Sequence, residues 1–476
     1  TFLHNPKMTP LAGIPGIHAE GVGSINVIPL NAFPAEDSSK ITLPKLCLYP
    51  NTLPGYLICI IVKKHSIKYN SLYIADLFHF MSNLQRNILT YKIDSVFNWF
   101  FLPIGTYVLI WNTDLKLDFA QINSAIAAGL LLSVILELPS GALADIIGRK
   151  RTVVIGRIAL FCAYLFFYIQ HNFLGVIVFQ LLYYVDNSFT SGAQSALLYD
   201  SLKEEGLEKK LYKKIEADTF LFCTLGMAIA SISSGYLYKI DPFLPFGVMI
   251  PITFIGLLAS LFYIEPKIDS EKYHIKDYLK QNIDGVRHIF RNSKVRWVSL
   301  FSIITMIITY VSVWYLYEPR ITKPFDDPTL IAWLIGGTYL MRAIGTRFVD
   351  RFERIFRSKY SSIALILSMS VGSLFSFVRG GFGAVSSVYL RKFVDGYRLP
   401  IINNMQNEHI ESKYRATSLS AVSLLVNLVL VPLGLLVGNS IDKLGVENTL
   451  GLVGIFGLLI GVPVSINMSR VLQEDS

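Results

Sequence analysis

Apolar segments of bilayer length recur along residues 95–468 with short polar gaps between them, and no other feature restricts the possible folds as much. A helix needs about 20 mainly apolar residues to cross the hydrocarbon core, where each backbone N–H and C=O must be satisfied within its own segment. The segments read as 95–111, 119–144, 152–170, 173–197, 217–238 and 243–264, then 298–317, 330–348, 361–378, 382–402, 417–440 and 449–468. The expectation is an all-α membrane protein with twelve transmembrane helices. Composition agrees, with 16% charged residues and a mean hydropathy of +0.48, against roughly a quarter charged in soluble domains.

The loops sort by charge. With the N-terminus inside, the loops after spans 2, 4, 6, 8 and 10 hold 23 Lys and Arg, and the opposite loops hold six: Lys116, Lys239, Arg320, Lys323, Arg379 and Lys443. The positive-inside rule then places both termini in the cytoplasm. In this setting the net charge of +9 is a property of cytoplasmic loops, and no nucleic-acid partner is implied. Cys47, Cys59, Cys162 and Cys223 are scattered without metal-ligand spacing.

Residues 1–80 differ from the rest. They carry eight of the twenty prolines and no apolar run of spanning length. The stretch from Met81, MSNLQRNILTYKID, reads as a short cytoplasmic leader, so residues 1–80 are expected to be a non-native or disordered extension. The remainder divides into a bundle at 81–265, a linker at 266–297 and a bundle at 298–476. Within the linker, Ile275, Tyr278, Leu279, Ile283, Val286, Ile289 and Phe290 recur at helical spacing. They predict an amphipathic helix lying on the inner leaflet. The two halves echo each other: YVDNSFTSGAQ in span 4 sets Asp186 against Asp395 of FVDGYRLPIIN in span 10, and Asp145 falls opposite Asp350. Parallel repeats of this kind mark a two-bundle transporter.

The turn after span 2 reads ELPSGALADIIGRKR, residues 137–151. Gly141 allows close helix approach, Asp145 sits at the membrane edge, and Gly148 permits a reversal. Arg149, Lys150 and Arg151 can anchor to headgroups or reach an acid on the other bundle. GALADIIGRK resembles the loop signature of the major facilitator superfamily, Gly-x-Leu-x-Asp-x-x-Gly-Arg-Lys, and ELPSG with SGAQSALLYDSL is similar to a prokaryotic branch of it. The resemblance implies two six-helix bundles around a cavity that opens to each side alternately. It also implies a cytoplasmic latch built from Gly141, Asp145, Gly148, Arg149 and Lys150.

Charges at membrane depth are costly and are therefore functional candidates. They are Glu137 and Asp186 in the first half and Arg342, Arg391, Lys392, Asp395 and Arg398 in the second. Arg157 is close enough to the inner surface to snorkel. One reading gives Arg342, Arg391 and Arg398 to an anionic or zwitterionic solute, with Asp186 or Glu137 carrying a proton. The other is a salt-bridge network of Asp395 with Arg391 or Arg398 and Asp186 with Arg342. Trp99, Tyr184, Tyr310 and Trp314 are candidates to line the cavity.

No phosphate-binding loop, H-E-x-x-H or G-x-S-x-G occurs, so neither a primary pump nor a hydrolase is indicated and no cofactor is expected. Drug-proton antiporters of the superfamily carry an arginine where Ser188 stands and a Gly-Pro pair in span 5 that this chain lacks. Metabolite transport is thus favoured over multidrug efflux. The expected protein is a monomeric, proton-coupled secondary transporter of the plasma membrane, with a sensor or scaffold that no longer transports as the rival.

Overall fold

The computed structural model describes residues 82–267, 275–410 and 412–473, all within one compact unit, Ile74–Ser476. The expectation for residues 1–80 lies outside the described residues. The helices are α1 Asn83–Trp99, α2 Tyr107–Asp114, α3 Phe119–Ile147, α4 Arg149–Ile169, α5 Phe173–Glu204, α6 Glu208–Ile240 and α7 Leu244–Ser260. They continue with α8 Ile275–Arg291, α9 Ser293–Thr322, α10 Pro328–Thr346, α11 Val349–Leu374, α12 Gly380–His409, α13 Ser412–Leu444 and α14 Val446–Leu472.

Among the described residues, eight helices are long and apolar enough to cross a membrane, or nine if the bent pair α1 and α2 is one broken span. The pair bends by 52° at Thr106. Helix α7 is apolar but only 17 residues long, and α12 interrupts its apolar sequence with Arg391, Lys392, Asp395 and Arg398. The first helix begins twelve residues before the expected start at 95, because Ser82 and Gln85 form a capping box on it. Residues 83–94 of that stretch are therefore already helix.

Helices α3, α4, α5 and α7 pack on one another, as do α9, α11, α12 and α14. In the first set, rings fill the space. Trp111 meets Tyr107, Phe167, Phe179 and Phe246 with centroids 4.9–6.4 Å apart. Lipid removes most of the hydrophobic drive for helix association, so contacts of this kind and small residues at crossings carry it instead. The linker helix α8 lies against α13 and α9, with Ile289 in the core and Ile283 and Phe290 exposed. It is docked on protein by at least part of its apolar face.

The two halves of the chain meet along α3–α13 and α6–α10. Asp442 of α13 accepts from the backbone N–H of Phe119 at 3.0 Å and of Ala120 at 2.8 Å. These are donors that the start of α3 leaves without intrahelical partners, and a carboxylate also suits the positive end of the helix. Across the other contact, Lys239 pairs with Asp327, the N-cap of α10, at 2.8 Å, and the Ser231 hydroxyl donates to the Ala332 carbonyl at 2.9 Å. A Cβ on Gly235 would lie 2.7 Å from the Pro328 oxygen, and one on Gly438 2.6 Å from the Phe119 oxygen.

Helices α10 and α12 cross almost backbone to backbone. A Cβ on Gly396 would stand 2.2 Å from the Arg342 carbonyl oxygen and 2.7 Å from the Thr346 nitrogen. Gly396→Leu should therefore force the pair apart at a cost of about 1–3 kcal/mol or more, as overpacking does. Exposed Leu399, three residues on, should tolerate alanine. Melting of the detergent-purified variants checks both, and equal melting temperatures for Gly396→Leu and the parent would refute the close crossing.

Candidate functional site

Arg157 of α4 is 2% exposed and sits between two carboxylates. Its Nε and Nη2 donate to Asp94 of α1 at 2.6 and 3.2 Å, and its Nη1 donates to Asp186 of α5 at 2.7 Å. Asp94 also accepts from Gln194 Nε2 at 2.9 Å and from the Tyr263 hydroxyl at 3.2 Å. Local sequence permits this meeting. Gly156, beside Arg157, has no side chain where a Cβ would lie 2.6 Å from Thr190 and 3.0 Å from Asp186 Oδ1. The expected snorkelling of Arg157 is corrected: two acids inside the helix cluster hold it away from the surface. The expected Asp186–Arg342 pair is likewise replaced by Asp186–Arg157.

A second charged cluster lies on α9, α10 and α12. Asp395 pairs with Arg398 Nε at 3.0 Å and with Arg342 Nε at 3.3 Å. Arg391 takes no part in that pairing, and none of its three guanidinium nitrogens has a hydrogen-bond partner among the described residues, although it is fully buried. Lys392, 7% exposed, lies over the rings of Tyr317 and Tyr339 at 5.5 and 5.2 Å. Glu318 is also buried, with Oε2 unpartnered. Nearby, Phe101, Tyr107, Tyr183, Tyr184, Trp111 and Trp314 line a small cavity. Tyr184 and Trp314 therefore line it as expected. Trp99 instead faces outward against Phe220, and Tyr310 packs in the core.

At the loop signature, Gly148 takes φ +96°, the conformation its lack of a side chain allows. Glu265 accepts from the backbone N–H of Arg149 at 2.7 Å and of Lys150 at 2.8 Å, capping α4. The Arg149 guanidinium pairs with Asp200 and donates to the Ala196 carbonyl at 2.9 Å, both on α5. Arg149 thus meets an acid of its own half, where the sequence suggested one across the bundles. The side chains of Glu137 and Asp145, and the surroundings of Gly141, lie outside the described residues.

Sequence reasoning missed Asp94, Gln194, Tyr263, Glu265 and Glu318. Asp94 was legible through the Ser82/Gln85 capping signal, which extends the first helix far enough to bury it. Glu318 fell one residue beyond the expected end of its span. Arg320, counted as an outer-loop charge, is fully buried and donates to the Val378 carbonyl at 2.8 Å.

Removing the cation should be costly, because two carboxylates would remain buried without it. Arg157→Met should destabilise the fold by about 3–5 kcal/mol. The triple variant Arg157→Met/Asp94→Asn/Asp186→Asn should recover much of that. Thermal melting in detergent reads both, and a stable Arg157→Met protein would contradict the account.

Residues 93–433 match the family model described as Major Facilitator Superfamily. An uncharacterized MFS-type transporter, YxaM of Bacillus subtilis (strain 168), is 23% identical over 332 residues, covering 67% of this chain and 81% of that protein. Among solved structures, a mutant of the nucleoside transporter NupG superposes with a TM-score of 0.65 at 12% identity, covering 81% of this chain and 99% of that one. A bacterial homolog of the human lysosomal transporter Spinster gives 0.60 at 13% identity, covering 83% and 97%. Both structural likenesses speak to fold alone. The match over more than half of the chain, with the Gly148 turn and its flanking signature inside it, shows that this protein belongs to the major facilitator superfamily.

Proposed function

We propose that the protein is a proton-coupled secondary transporter that moves a small solute across the cell membrane by alternating access. In this reading twelve spans form two six-helix bundles, 81–265 and 298–476, joined by the linker 266–297, with both termini cytoplasmic. The bent α1–α2 pair, α7, α10 and α12 supply the spans that length and hydropathy alone leave out. The contacts of α3 with α13 and of α6 with α10 are then the closed extracellular side. Gly141, Asp145, Gly148, Arg149 and Lys150 form the cytoplasmic latch.

The observation that carries proton coupling is the Asp94–Arg157–Asp186 triad. Two carboxylates against one guanidinium leave a surplus negative charge in a low-dielectric interior, where an uncompensated charge is expensive. One proton removes it. Asp94 accepts four hydrogen bonds and is well satisfied as an anion, whereas Asp186 accepts one, on Oδ1. The proton is assigned to Asp186 Oδ2. Its arrival weakens the hold of Asp186 on Arg157 and lets α5 shift against α4 and α1, which stay joined through Asp94, and this gives the proton a differential effect on the two states.

Proteoliposomes containing a trapped pH dye, challenged with a panel of sugars, nucleosides, amino acids and organic acids, test this reading. At least one solute should drive proton movement, and Asp186→Asn should abolish that movement while leaving the protein folded. If no solute moves protons, the sensor or scaffold reading takes over. Proton movement that persists in Asp186→Asn would remove the assignment to that residue.

Alternating access has its own test. Gly438→Leu cannot coexist with the Phe119 carbonyl at the present spacing, so α3 and α13 should separate. Spin labels at Lys116, in the loop before α3, and Lys443, in the last turn of α13, both exposed, should show a longer mean distance in the variant. An unchanged distance would mean that this contact is not a gate.

A further inference from the structure

We infer that the cluster on α9 and α12 is a binding site for an organic oxyanion with an aromatic body, centred on Arg391, Lys392 and the Tyr317 hydroxyl. The inference rests on the transport reading only for its role as substrate site; the binding chemistry stands on geometry. Four cations (Arg342, Arg391, Lys392 and Arg398) are grouped with two carboxylates, Asp395 and Glu318. Asp395 is committed to Arg342 and Arg398. Neither Arg391 nor Lys392 has an ion pair among the described residues, so the group keeps a surplus of positive charge at membrane depth.

The donors are specific as well as unpaired. The three guanidinium nitrogens of Arg391 and Arg398 Nη1 are buried without a hydrogen bond of good geometry among the described residues, and the Tyr317 hydroxyl lies close enough to Arg391 and Ser312 to interact with both. Arg391 is electrostatically coupled to Tyr317, and Lys392 lies over the same ring at 5.5 Å. Tyr317 is thus flanked by both unpaired cations. The Arg391 stem is seated against Gly372, where a Cβ would lie 3.1 Å from Cγ and Cδ, so the head is positioned by packing rather than by a counter-ion. A guanidinium presents paired N–H groups that match the oxygens of a carboxylate or phosphate, and Lys392 adds a point charge.

A ring completes the ligand. Tyr339 lies 5.2 Å beneath Lys392, and Trp314, three residues before Tyr317 on α9, lines the aromatic cavity. Tyr107, Tyr183 and Tyr184 line it with Trp314. An anion at Arg391 and Lys392 can therefore extend an aromatic body toward that wall. The surplus of two cations favours a dianionic phosphate ester over a monoanionic carboxylate.

The test uses the purified full chain in detergent with phenyl phosphate, benzoate and phenethylamine as probes. Phenyl phosphate should raise the melting temperature, benzoate should raise it less, and phenethylamine should not raise it. Arg391→Met should melt higher than the parent without ligand, since it removes an uncompensated buried charge, and should lose the phenyl phosphate response. Lys392→Met should weaken that response. A lower melting temperature for ligand-free Arg391→Met would overturn the proposal, as would an undiminished response in that variant. Equal stabilisation by phenethylamine, or no response to either anion, would do the same. Anion binding without any flux in proteoliposomes would leave this site standing and remove the transport reading. Proton-linked flux of other solutes, without anion binding, would do the reverse.

Discussion

The guanidinium of Arg157, held by Asp94 and Asp186, is the interaction on which the first half of the structure depends. It joins α1, α4 and α5 at one point where no water offsets an error. Each charge alone would be far too costly to bury. Together they are affordable only because nearly every donor and acceptor finds a partner, with Gln194 and Tyr263 completing the shell of Asp94. Geometry has to be exact enough to satisfy five hydrogen bonds from three residues, and that requirement selects Gly156 at the crossing. A side chain there would push Asp186 out of reach. Burial of the charge and close helix packing are one constraint seen from two sides.

Helix ends follow the same accounting. The start of α3 has donors that its own turns cannot use, and Asp118 and Asp442 take them from opposite sides. Asp118 belongs to the helix it caps; Asp442 arrives from α13. A carboxylate on the N-terminus of a neighbouring helix is a modest contact, worth about 0.3–1 kcal/mol at an exposed position. Such a contact can break without unfolding anything. Between α3 and α13 this polar contact stands beside a close helix crossing at Gly438, so the end of the helix and its packing are satisfied by the same neighbour.

How much of this was legible beforehand differs by kind of residue. Eight of the spans were, because hydropathy is a property of long segments and tolerates errors of several residues. The loop signature was too, since Gly148 and the cations beside it are contiguous. The partners of Arg157 were not. Asp94 and Asp186 are 63 and 29 residues from it, and pairing at that range is decided by helix rotation, which a single sequence with many apolar faces leaves open. Glu265 was hidden for the same reason, since capping of α4 by the end of α7 depends on where two loops meet. Asp94 had a local signal in the Ser82 and Gln85 cap, but the apolar window outweighed it. The choice between substrate site and salt-bridge network was posed as one question, and the structure divides it residue by residue: Asp395 and Arg398 pair, while Arg391 and Lys392 do not.

The internal repeat is therefore one of architecture and not of chemistry. Asp186 and Asp395 occupy matching places in the two halves, and each meets arginine. In the first half the arginine comes from α4, the helix next to it in the chain. In the second half it comes from α10 and from the same helix α12. The consequence is opposite surplus charge, negative around Arg157 and positive around Arg391. Opposite surpluses in two bodies that share a bilayer attract, and the attraction grows as water is excluded between them. Duplication supplied two scaffolds of the same shape. The halves differ in which helix carries the arginine, and that difference is what leaves them with complementary charge.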